Sequence, residues 1–184
     1  MPEIAKIIFF HGASSSGKST LAKGVQNAID APFWHISIDH LRDSGVLPST
    51  RLKSGEFSWK DMRQQFFNGF HLSLGAYASA GNNLIIEHIL DTEGWHEELA
   101  VLLAPYDMFF VGVHCALPEL IRREKARGDR PAGSAERDYN SIHQNVQYDL
   151  EIQSEGNVGD NVDRVISAWK ARRSPSAFVR KAGS

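Results

Sequence analysis

The stretch Gly12-Ala-Ser-Ser-Ser-Gly17-Lys18-Ser19 constrains this chain more than any other, because it matches G-x-x-x-x-G-K-S/T in full. Such a stretch works in one setting: a strand must run in ahead of it and a helix must begin at the lysine. Successive backbone N–H groups and the helix N-terminus then face the same anionic group. Both neighbours are predicted. Ile4-Ala-Lys-Ile-Ile-Phe-Phe10 is a short, β-rich apolar run of the kind buried on both faces in parallel sheets. From Lys18 to about Ile29, Leu21, Val25 and Ala28 recur at helical spacing, and Pro32 lies beyond the end. A turn that merely joined strand to helix would leave Lys18 without a reason.

The rest of the chain repeats the alternation. Trp34 to Ile38 (ending in Asp39), Leu84 to Ile89, Met108 to His114 and Tyr148 to Ile152 read as further strands. Ser58 to Ala80, Thr92 to Leu103, Pro118 to Arg127, Ala135 to Gln147 and Asp160 to Arg172 read as helices. Strands alternating with helices imply βαβ units. The expected fold is an α/β three-layer sandwich with a parallel five-stranded sheet, ligands lying at the carboxyl ends of the strands. Residues 1–172 are expected to form a single domain. The Ser/Gly/Pro-rich stretch Asp43 to Phe57 is read as a mobile loop beside the site, and residues 173–184 as a frayed tail.

Composition narrows the function classes. Net charge is -2 with Lys and Arg scattered, so nucleic acid is not a favoured partner. Cys115 is the one cysteine, which rules out an intramolecular disulfide and a Cys-rich zinc site and fits a reducing, cytoplasmic setting. The apolar run at 4–10 is too short to span a bilayer and has no signal-peptide flanks, so neither export nor a membrane anchor is expected. Oligomeric state is not legible.

The glycine loop predicts ATP binding through Gly12, Ala13, Ser14, Ser15, Ser16, Gly17, Lys18, Ser19 and Thr20, with Lys18 supplying a full charge and Ser19 a magnesium ligand. A nucleotide does not specify a reaction, so the acceptor side needs its own residues. Asp39, closing the second strand, is the expected base for an acceptor hydroxyl; its bland reading is the cap of a helix starting near His40 or Leu41. Glu87 is expected to hold magnesium through a water; its bland reading is a strand-end carboxylate. Arg123, Arg127 and Arg130 share a helical face and its extension, and are expected to form a lid over residues 118–134. Arg123 would hold the nucleotide, while Arg127 and Arg130 would stabilise charge on the moving phosphoryl group. A solvated helix with Glu–Arg pairs is the alternative. His11, His40 and His88 are read as lining residues, Cys115 as a buried hydrophobe, and Phe66, Phe67 and Phe70 as core.

In its order of motifs the chain resembles the chloramphenicol phosphotransferase family, P-loop kinases related to shikimate and adenylate kinases. The resemblance rests on His11-Gly-Ala-Ser-Ser-Ser-Gly-Lys-Ser19, the strand ending in Asp39, Leu84-Ile-Ile-Glu87, Val111-Gly-Val-His-Cys115, Arg123-Glu-Lys-Ala-Arg-Gly-Asp-Arg130 and Val146-Gln-Tyr-Asp149. It implies ATP-dependent phosphorylation of a hydroxyl on an antibiotic-like small molecule, with the aspartate at the position of Asp39 as base. The chain departs from the family pattern at Glu87-His88, where the family carries an acidic doublet, and at Gln153-Ser154, where it carries Asp-Thr. Alternatives are a metabolic kinase of the same fold and a P-loop hydrolase or switch. Asp91-Thr-Glu-Gly94 imitates the D-x-x-G of switches, but no N-K-x-D for guanine is present. A dinucleotide-binding oxidoreductase would need a different glycine spacing.

Overall fold

The computed structural model describes residues 4–127 and 133–180. The strands are β1 (Lys6–His11), β2 (Phe33–Ser37), β3 (Asn83–His88), β4 (Asp107–His114) and β5 (Leu150–Gln153). They form one sheet in the order β2-β3-β1-β4-β5, every pair parallel. Parallel neighbours require crossovers, and helices supply them: α1 (Lys18–Ala28), α2 (Ile38–Asp43), α3 (Ser49–Lys53), α4 (Trp59–Ser79), α5 (Trp95–Leu103), α6 (Leu117–Arg127), α7 (Ser134–Ser141), α8 (Val158–Lys170) and α9 (Ala177–Arg180). This is the expected three-layer α/β sandwich. Among the described residues no helix is long and apolar enough to cross a membrane.

The apolar run of β1 explains the layering. Side chains alternate across a strand, so Ile7 and Phe9 face Phe70, Leu74, Leu99 and Leu103 of α4 and α5, while Ile8 and Phe10 face Leu21, Val25, Val162 and Val165 of α1 and α8. With helices on both faces, no position from Ile7 to Phe10 can be polar without burying an unpaired group. Ile4, predicted to start this strand, is exposed and lies outside it.

Register gathers the chemistry on one edge. Phe10 pairs with Glu87 and Glu87 with Ser37, while His11 pairs with Gly112. The glycine loop leaves directly from His11, and it passes so close to β4 that a Cβ on Gly12 would lie 2.3 Å from the Val113 carbonyl oxygen.

Three segments differ from expectation. The stretch from Asp43 to Phe57 is not a bare loop: α3 lies within it, and Arg51 packs over the Phe57 ring at 3.8 Å while pairing with Glu56. The helix predicted to reach Gln147 stops at Ser141, because the Ile142 carbonyl accepts from His11 Nε2 and Asn145 turns the chain with φ 58°. Residues 176–180 are not a frayed tail. Phe178 is fully buried, its ring 4.8 Å from those of both Phe9 and Phe110. Asp149 clips this segment down, accepting from the N–H groups of Phe110 and Ala177 at 2.8 Å each, and from the Ser176 hydroxyl.

Candidate active site

The loop between β1 and α1 is built to present donors. Gly17, at φ 93°, is in the left-handed region, and no side chain caps the helix that follows, so the first amides of α1 are left for a ligand. The hydroxyl oxygens of Ser14, Ser15 and Ser16 are buried with no hydrogen-bond partner. Buried polar atoms normally have one, and a polyanion would supply it. Lys18 is buried, its Nζ donating to the carbonyls of Gly12 at 2.8 Å and Ala13 at 2.7 Å. Ser15 is held at φ 65°, a conformation costing a non-glycine residue about 1–2 kcal/mol.

Opposite the loop, Ser19 Oγ donates to Glu87 Oε1 at 3.0 Å. Burial pushes the Glu87 carboxyl up, but His35, the Lys18 charge and the Ser19 hydroxyl outweigh it and hold it below the ordinary carboxylate value. His35 Nε2 stands 3.7 Å from Glu87 Oε2, beyond hydrogen-bond length, so its pull is electrostatic. Glu87 Oε2 is buried and has no hydrogen-bond partner. Two hard oxygens beside a phosphate loop, one of them unsatisfied, fit magnesium better than any softer metal.

Asp39 is on the expected edge but not at a strand end. β2 stops at Ser37 and Asp39 sits in the first turn of α2. The cap is Ser37, whose extended backbone lets its Oγ accept the His40 N–H at 3.2 Å. Asp39 is thus not needed for capping; its carboxylate meets Arg42 Nη1 at 3.0 Å.

These groups line one cavity of about 610 Å³. Ser14 to Thr20, Glu87 and Asp39 form its centre, while Gly12 and Ala13 shape the loop beneath through their carbonyls. At one end lie Arg123, Arg127, Ser154, Val158 and Asn161. Arg123 Nε donates to Glu119 Oε1 at 2.7 Å, and its Nη1 reaches both Ser15 O and Ser154 Oγ at 3.4 Å. Together Arg122 and Arg123 pull the Glu119 carboxyl down to about 2. Arg130 lies outside the described residues. At the other end are Arg42, His88, Asp91, Phe67 and Trp95. Arg63 braces these two aromatics from outside, its guanidinium 4.8 Å from the Phe67 ring and 4.9 Å from Trp95, and it pairs with Asp91 at 3.2 Å.

Several readings from the sequence need correction here. Phe67 is buried yet forms cavity wall, whereas Phe70 is core as expected. Of the three histidines read as lining, only His88 lines the cavity. His40 is exposed, its ring packed edge-on against His35. His11 is fully buried behind the loop: its Nε2–H donates to Ile142 O at 3.0 Å and its Nδ1 accepts the Leu90 N–H at 3.2 Å. Trp95 and Asp138 carried no sequence signal, since each reaches the site from a distant element, whereas His35 and Arg42 flank Asp39 within four residues and could have been found from it.

Burial lowers His11 to about 4 and His88 well below its ordinary value, so both stay neutral where an unfolded histidine would not. Above about pH 6.5 the two states bind equal protons at these sites; below it only the unfolded chain protonates, and stability falls until His11 titrates near 4. Each such proton weakens folding by about 1.4 kcal/mol per pH unit. His71 and His143, lowered by burial to about 4 and about 3, act in the same direction, so the urea midpoint is expected to be level from pH 8 to 7 and to drop steeply between pH 6.5 and 5. A level midpoint down to pH 5 would contradict this.

A family model described as chloramphenicol phosphotransferase-like protein matches residues 5–170. A Mycobacterium tuberculosis protein with the provisional name O-phosphotransferase is 26% identical over 200 residues, covering 98% of this chain and 88% of that one. Among solved structures, the Mycobacterium tuberculosis APS kinase in complex with AMPPNP and APS aligns with a TM-score of 0.69 at 20% identity, over 92% of this chain and 99% of that one. A gluconokinase from Sinorhizobium meliloti aligns with a TM-score of 0.63 at 16% identity, over 92% and 94%. At these identities the two structures establish a common fold, that of small P-loop kinases.

Proposed function

We propose, from the premise that this chain belongs to the chloramphenicol phosphotransferase-like family and is an enzyme that phosphorylates a hydroxyl, that its donor is ATP with magnesium. The acceptor in this reading is a small hydroxylated molecule, chloramphenicol or a related antibiotic. The observation that carries it is the single cavity in which phosphate loop, Glu87 and Asp39 meet.

The triphosphate lies along Ser14 to Thr20, where loop and α1 amides, three partnerless hydroxyls and Lys18 converge. Ser19 and Glu87 would hold magnesium, which when bound neutralises charge on the transferring phosphate. Arg123, Ser154, Val158 and Asn161 receive the adenine end. The acceptor occupies the end walled by Phe67 and Trp95, its hydroxyl turned to Asp39. Asp39 takes the hydroxyl proton as the oxygen bonds to the γ-phosphorus and the bond to the ADP oxygen breaks. Arg127, with Arg130 beyond it, spreads the charge of that transition state, which needs positioning and electrostatics more than covalent chemistry.

Arg42 favours a second reading. A guanidinium lining the acceptor end beside Asp39 suits an acceptor carrying a carboxylate, as a metabolic kinase would use. An acceptor screen with γ-labelled ATP separates the two. With chloramphenicol, gluconate, shikimate and nucleosides present, label is expected on one hydroxylated acceptor, and chelating magnesium is expected to stop transfer. Transfer to the sugar acid alone favours the second reading. Hydrolysis with no labelled acceptor would point to a nucleotide switch.

A further inference from the structure

The glycine loop has a partner on its far side. Asp138 in α7 is 2% exposed, and its Oδ2 accepts the Ser14 N–H at 3.1 Å. Its other oxygen accepts from Arg137 Nη2 at 3.0 Å. The helix that carries it is itself tied down. Buried Glu124 of α6 accepts the N–H groups of Gly133 at 3.1 Å and Ala135 at 2.8 Å, His11 donates to Ile142 O, and Ala13 of the loop packs among Leu120, Ala135 and Ile142.

Ser15, next along the loop, is the strained residue, and it is gripped on both flanks. Asp138 fixes the amide of Ser14 before it, and Arg123 donates to the carbonyl of Ser15 itself. A buried carboxylate on a backbone amide is a charge-assisted bond in a low-dielectric setting, stronger than a neutral acceptor would make. A negative group this close to a phosphate site would repel the ligand if it faced it. Asp138 instead holds an amide turned toward α7, and Arg137 offsets its charge.

We propose that Asp138 is a positioning residue for the phosphate loop: by anchoring the Ser14 amide it keeps Ser15 left-handed and the following N–H groups aimed at the triphosphate. The helices α6 and α7 then act on both sides of the nucleotide, arginines in front and carboxylate behind. This rests on the reading of the loop as an ATP site, and its test begins there.

Binding of a fluorescent ATP analogue with magnesium is measured for wild type, Asp138→Ala and Asp138→Asn, with steady-state kinetics alongside. Asp138→Ala is expected to weaken nucleotide binding about tenfold and raise the ATP KM by a like factor, leaving the acceptor KM unchanged. Asp138→Asn keeps an acceptor oxygen and is expected to stay within about threefold of wild type. If alanine unfolds the chain, leucine, of similar volume and without an acceptor, replaces it. In the folded wild type the Ser14 amide hydrogen is expected to exchange slowly. Unchanged ATP affinity in the alanine or leucine variant, an asparagine variant as weak as alanine, an equal rise in both KM values, or a rapidly exchanging Ser14 amide each overturns the role of Asp138. A wild type that binds no ATP overturns the nucleotide reading as well.

Discussion

Lys18→Ala is expected to leave a folded protein whose phosphotransfer rate is down by at least about a thousandfold, or about 4 kcal/mol of transition-state stabilisation. The ammonium is a full charge in a buried site, where it acts on a developing anion far more strongly than in water. Its structural share is small. Lys18 donates two charge-assisted bonds to loop carbonyls, of about 1.5–3 kcal/mol each, offset in part by the desolvation cost that a buried ammonium carries and alanine does not, so the net loss stays below the stability of an average domain. Circular dichroism and thermal melting are expected to resemble wild type while kcat/KM collapses. Activity within tenfold of wild type would detach Lys18 from the chemistry.

The second large effect is at Asp39. Asp39→Asn is expected to lower kcat by about a thousandfold, the usual share of a positioned general base, with the ATP KM within about threefold of wild type. The contrast follows from where the residue sits. Asp39 rides on α2, away from the arginine end of the cavity, and Ser37 carries the cap, so asparagine disturbs neither nucleotide nor helix. Measuring kcat and KM for both substrates, once the acceptor is known, separates proton transfer from binding. Full turnover in this variant would remove the base and leave Asp39 as a partner of Arg42.

Legibility followed sequence distance. The loop carries its own context, and every strand was placed to within two residues at each end; in β1, β3 and β4 both-face burial leaves a continuous apolar run that no surface segment imitates, while the part-exposed edge strands β2 and β5 are shorter and carry polar residues. Short elements were lost. α2 and α9 have too few residues to show a helical period, so Asp39 was read as a strand end and Phe178 as tail. Partners far apart in the chain were invisible. Nothing in the run Arg137-Asp138-Tyr139 announces that its carboxylate meets an amide 124 residues earlier. The same holds for Asp149, part of the motif Val146-Gln-Tyr-Asp149, which clips Ser176 and Ala177 to β4. The histidines misled because a strand-end position does not say which way a ring points. His11 turns inward to tie three segments together, while His88 borders the cavity.

The sheet order has a consequence for how the chain is made. β1 is synthesised first yet lies in the middle, and its neighbours are β3 and β4, with Ile7 paired to Leu84 on one side and Met108 on the other. At roughly 5–20 residues per second, a ribosome leaves Ile7 to Phe10 unpaired for roughly 4–20 s. The most apolar strand is thus the one that waits longest: until α4 is made, α1 can cover only the Ile8 and Phe10 face, and both edges stay unpaired until β3 and β4 follow. Unpaired strand edges and open apolar faces are where nascent chains aggregate, and that exposure comes from setting the glycine loop at the centre of the sheet rather than at its rim.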